Sequence, residues 1–126
     1  MSFAKREKAR FKVSLDTGEE IGIKLKRGLV IRGGDFIRGK SGRVLKVIAA
    51  REKLSIVKSE SAKGLARVSY HLGNRHVSVQ ILANTVVYLR DNVLDDMVRG
   101  LGFDLTHEEG PFEPEGGAYM NRSHVH

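Results

Sequence analysis

The chain has 126 residues, a net charge of +7 and no cysteine. That length allows one modest core or two small ones, and it excludes barrel enzymes and large nucleotide-binding folds. Without cysteine there is no disulfide, thiolate nucleophile or thiolate metal site, so a metal could be held only by His nitrogen or carboxylate oxygen. The charge is unevenly spread: residues 1–90 carry 20 Lys and Arg against 7 Asp and Glu, whereas residues 91–126 carry 2 against 8. A basic body with an acidic end suits an acidic partner for one and cations for the other. No apolar run is long enough to span a membrane, and the amino terminus is charged where a signal peptide would turn apolar, so a soluble cytoplasmic protein is expected.

In chain order, Phe11, Val13 and Leu15 alternate, Asp16-Thr17-Gly18 reads as a turn, and Ile21, Ile23 and Leu25 alternate again. Leu29-Val30-Ile31 reads as a further strand, and Gly39 and Gly42 flank a turn before Val44, Leu45, Val47 and Ile48. Residues 1–50 are thus expected to form a small amino-terminal all-β domain, with Ala49 to Lys53 as a hinge. From Leu54 the pattern changes. A short strand to Val57 precedes a helix capped by Ser59 or Ser61 and stopped by Gly73. Val77, Val79 and Ile81 predict a strand, Asn84 a turn into Val86 and Tyr88, and Asp91 the cap of a second helix that Gly102 ends. Phe103 and Leu105 open the last strand. The fold class expected is α+β, with a ferredoxin-like βαββαβ domain over residues 54–110 and a flexible, histidine-containing tail over 111–126.

Several motifs compete for a functional reading. Gly34 to Ser41 matches the phosphate-loop pattern G-x-x-x-x-G-K-S, but the residues that follow are β-branched and apolar, so no helix amino end is expected there. RNA binding by a basic domain of ferredoxin-like topology is the alternative function. Lys5, Arg6, Lys8 and Arg10 could contact phosphates, yet the expected central strands offer only Tyr88 for stacking. His71 and His76 are five residues apart, about 140° around a helix, which is not the zinc-protease arrangement. No nucleophile turn is present, and His107 could equally be an exposed strand position.

His76 stands out because it follows directly on the expected helix stop. Imidazole suits nickel, copper and zinc, but one His binds no metal tightly, so His76 needs partners. At the carboxyl end, His124 and His126 alternate around one residue and could bring two nitrogens to one cation.

Tyr-His-Leu-Gly-Asn-Arg-His (70–76), Val-Leu-Asp-Asp-Met (93–97), Leu-Gly-Phe (101–103), Pro-Phe-Glu-Pro-Glu-Gly-Gly-Ala-Tyr (111–119) and the His-X-His end resemble the UreE family of urease accessory proteins. Arg27-Gly28-Leu29 with Arg32-Gly33-Gly34-Asp35 extends the likeness through the first half. The resemblance implies a nickel metallochaperone rather than an enzyme. It implies a homodimer that delivers Ni2+ to the urease apoprotein through an accessory complex containing a GTPase. It also implies that His76 binds nickel at the dimer interface with the same residue of the other subunit, His124 or His126 completing the coordination, and Cu2+ and Zn2+ being competing ions. Against relatives with extra histidines, this chain has Leu89, Arg90 and Asn92, and its tail has only two histidines, which implies no second site there and low capacity. Relatives usually begin with another strand, which implies a truncated or differently completed β domain.

Overall fold

The computed structural model describes residues 1–116. Contacts divide the chain into two compact units, one containing Met1–Ala49 and the other Ala50–Glu115.

In the first unit a single-turn helix, α1 (Phe3–Arg6), is capped by Ser2, whose Oγ accepts from the Lys5 N–H at 3.3 Å. Strands β1 (Arg10–Ser14) and β2 (Glu20–Lys24) pair antiparallel, Phe11 opposite Ile23 and Val13 opposite Ile21. A second hairpin joins β3 (Phe36–Arg38) to β4 (Val44–Lys46). Phe11, Ile23, Ile31 and Val47 form the core. Two expectations fail here. The Leu29–Ile31 run lies outside regular structure, because Ile31 is apolar for burial and not for strand pairing. Arg6 is not free to meet phosphate: it is fully buried, with Nε and Nη1 donating to the Met1 and Ile31 carbonyls at 3.3 Å each. The Gly34–Ser41 pattern runs through β3 towards β4, and the element that follows is a strand, as its residues indicated.

The second unit runs β5 (Arg51–Lys58), α2 (Ala62–Asn74), β6 (Gln80–Leu82), β7 (Thr85–Leu89), α3 (Asn92–Gly100) and β8 (Leu105–Pro111). Its four strands form one antiparallel sheet in the order β6-β7-β5-β8. The expected hinge does not interrupt it, since Arg51 to Lys53 pair with Glu109 to Pro111. β6 is shorter than the alternation suggested, because Val77 and Val79 pack on the core from the connection that precedes it.

Helix starts follow from local chemistry. Ser61 Oγ accepts from the Gly64 N–H at 3.1 Å, and Asp91 Oδ1 accepts from the N–H groups of Val93 and Leu94 at 2.8 and 3.0 Å. Val68 and Leu72 of α2 and Val98 of α3 join Val57, Val86 and Tyr88 in one buried cluster, so both helices lie on the same face of the sheet. The architecture is mixed α and β, with three helices and antiparallel sheets among the described residues. No helix among them is long and apolar enough to cross a membrane.

Candidate metal centre

The end of α2 departs from the sequence reading in an informative way. Gly73 does not stop the helix, which continues through Asn74 with Arg75 as its C-cap. The left-handed residue is His76 itself, at φ 58°. Its N–H donates to the Gly73 carbonyl at 2.9 Å, and the Val77 N–H donates to the Leu72 carbonyl at 3.1 Å. These are the two closing bonds of a Schellman motif, with His76 at the position usually held by glycine.

The end of α3 supplies an internal reference. There Gly102, at φ 97°, donates to the Arg99 carbonyl at 2.9 Å, and the Phe103 N–H reaches the Val98 carbonyl at 3.3 Å. The same motif closes both helices. One uses glycine, and the other places an imidazole on backbone that disfavours a Cβ by roughly 1–2 kcal/mol. His tolerates this region better than most residues, but its presence at an exposed helix end still needs a reason beyond folding. An exposed imidazole on a backbone fixed by two hydrogen bonds is well suited to act as a ligand.

One chain does not surround a metal there. Among the described residues no group of three or more His, Asp or Glu is placed to hold an ion. His71 lies in the last turn of α2, half-buried, with its ring edge-on to Tyr70 at 5.2 Å between centroids. His124 and His126 lie outside the described residues. The chain leading to them is held by hydrogen bonds at Glu113 and Glu115. Residues 111–115, expected to begin a mobile tail, complete β8 and then run back beside the residues that follow His76. Phe112 and Pro114 are buried, the Glu113 N–H donates to Gln80 Oε1 at 3.0 Å, and the Glu115 N–H donates to the Val79 carbonyl at 2.8 Å.

A second cluster was not legible in the sequence. Asp95, in the first turn of α3, is almost completely buried. Its Oδ1 accepts from Ser55 Oγ at 2.7 Å and from the Tyr88 hydroxyl at 2.6 Å, and His107 Nε2 lies 2.8 Å from Oδ2. Ser55 stands opposite Tyr88 on one side and His107 on the other, so three adjacent strands aim one row of side chains at one carboxylate. Burial alone would raise the Asp95 pKa, but the hydrogen bonds from Tyr88, Ser55 and His107 outweigh it and hold the carboxyl below its ordinary value. Burial and then the bond to Asp95 push the Tyr88 phenol far above its usual range. Tyr88 therefore cannot offer a stacking face to RNA, and His107 is an exposed position of β8, as expected, whose Nε2 is bonded to Asp95.

Comparison with known proteins identifies the family. Residues 1–50 match the family described as UreE urease accessory protein, N-terminal domain, and residues 52–126 match its C-terminal domain. The urease accessory protein UreE of Alkalilimnicola ehrlichii is 49% identical over 119 residues, 94% of this chain and 73% of that protein. Those of Pseudomonas putida strain W619 and Escherichia coli O157:H7 are 48% and 46% identical, over 94% and 96% of this chain and 74% and 79% of their own lengths. The chain belongs to the UreE family of urease accessory proteins.

Proposed function

We propose that this protein is a nickel metallochaperone that supplies nickel for assembly of the urease metallocentre, acting in the cytoplasm as a carrier and not as an enzyme. The observation that carries the reading is His76: an exposed imidazole held in a left-handed conformation at a helix end, in a member of a urease accessory family. One imidazole is too few for a tight site, and two-fold symmetry is the economical remedy. In a homodimer two His76 side chains meet at the axis and share one ion. His124 and His126 follow a root held beside Val79 and Gln80, close in sequence to His76, and they supply the further, exchangeable ligands. Residues 1–50 form a β domain and the βαββαβ unit is a ferredoxin-like metal-binding domain. The partners are the urease apoprotein and its GTPase-containing accessory complex. Cu2+ and Zn2+ compete for the same imidazoles in vitro, copper more strongly, as the Irving–Williams order requires.

Calorimetric titration of the full chain with nickel, combined with mass measurement by light scattering, tests this reading. The expected result is about one tight nickel ion per two chains at dimer mass. A monomer at saturating nickel, or one tight ion per chain, would overturn it. Replacing both His124 and His126 by Ala is expected to weaken nickel binding about tenfold and to speed its loss to a chelator, with dimer mass unchanged. Unaltered exchange in that double variant would remove the tail from the site.

A further inference from the structure

We infer that Val77 is a positioning residue for the nickel ligand: by seating in the core it locks the Schellman closure that holds the His76 backbone left-handed and the imidazole ready for metal. The inference rests on the nickel reading of His76 and adds to it the part of the fold that aims the ligand.

Three observations carry it. Val77 donates the outer bond of the motif, to the Leu72 carbonyl, and its side chain packs against the buried cluster that contains Leu72. An apolar contact between the residue in that place and the third residue from the helix end frequently accompanies this closure, and here Val77 packs against the cluster that holds Leu72. Secondly, the same closure at α3 is made by Phe103, also packed on the cluster, but there the left-handed residue is Gly102, which needs little enforcement. At α2 the left-handed residue carries a Cβ, so the closure must hold a disfavoured conformation in place. Thirdly, Gly73 lies three residues earlier, is helical, and has open space where a Cβ would point. The sequence thus has a glycine close by that could have ended the helix without strain, and the chain nevertheless turns at the histidine.

The consequence is preorganisation. A ligand on frayed helix backbone would have to be ordered by the metal, and that cost would be subtracted from affinity. A ligand locked before binding avoids it, and the lock belongs to the fold, so it persists after the ion leaves.

The test uses the full chain and nickel titration at a temperature well below unfolding. Val77→Ala, which keeps the backbone but removes the seat, is expected to lower nickel affinity about tenfold while retaining dimer mass and helix content, and Val77→Ile is expected to restore it. The second variant moves the imidazole without harming the fold. In Arg75→His/His76→Gly the motif gains its preferred glycine and the imidazole sits one residue earlier, at the exposed C-cap position, where the backbone is not left-handed. That protein should be at least as stable as the wild type and should not regain nickel binding. Wild-type affinity in Val77→Ala, or in the relocated variant, would overturn the positioning role. His76→Ala separates the two ideas: if it binds nickel as the wild type does, the nickel reading of His76 fails. If it loses binding while Val77→Ala keeps it, only the positioning inference fails.

Discussion

His76→Gly is expected to lose nickel binding and to gain stability. The gain follows from the backbone: glycine occupies φ near 58° without the steric penalty that a Cβ incurs, and the equivalent closure at α3 already uses it. Relief of that penalty, less the extra freedom glycine gives the unfolded chain, should leave about 0.5–1 kcal/mol. For a unit of this size that raises Tm by roughly 3–6 °C, measured in the presence of a chelator so that bound metal does not contribute. In the proposed symmetric site both imidazoles disappear together, and even supporting residues of metal sites are worth 10–100-fold, so nickel affinity should fall by at least about 100-fold. The opposite signs are the point of the experiment. A variant that lost both stability and metal would show only a damaged fold, and one that kept nickel would show that the ligand lies elsewhere.

Asp95→Ala is expected to be the most destabilising substitution among those considered. It leaves the hydroxyls of Ser55 and Tyr88 without their acceptor in a buried place and removes the partner of His107 Nε2. Buried, charge-assisted bonds lost from one side cost the desolvation of the groups left behind, here about 3–5 kcal/mol in all. Asp95→Asn keeps the shape and one acceptor oxygen and should cost about half as much. The pH dependence follows from the sign of the shift. The folded-state pKa lies below the ordinary carboxyl value. The charged network therefore contributes its full stability above the unfolded carboxyl pKa of about 3.9, and loses it as pH falls through the folded value. Urea unfolding of wild type and Asp95→Ala should thus show a wide gap at neutral pH that narrows below about pH 4. A gap independent of pH down to acid unfolding would mean that packing, and not charge, is what Asp95 supplies.

How much of this the sequence revealed depended on how local the cause was. Asp91 and Gly102 mark the bounds of α3 in the sequence itself, because a capping carboxylate and a left-handed glycine act on residues within one turn. Gly73 misled for the complementary reason. Where α2 ends is settled by Val77 finding the core, a tertiary event that composition does not record. Strand lengths failed in the same way: Arg51 to Lys53 are polar or charged, and only the partner strand β8 makes them a ladder. His76 drew notice through its residue type and its place after a helix, but the left-handed backbone that carries it follows from tertiary packing and is not visible in the sequence. The Asp95 cluster was wholly illegible, since Ser55, Tyr88 and His107 reach it from three strands and no local pattern links them.

The strand order also bears on how the protein is made. β5 is the first strand of its sheet to be synthesised, yet it pairs only with β7 and β8, and Arg51 bonds to Glu109 across 58 residues of chain. Until β8 has left the ribosome, the apolar run Leu54, Ile56 and Val57 lacks one of its two neighbours, and that exposed edge can pair with another nascent chain. The β6–β7 hairpin and both helices can form earlier, because their contacts are short-range. Completion of the sheet thus waits for β8 to emerge, well after β5 has been made.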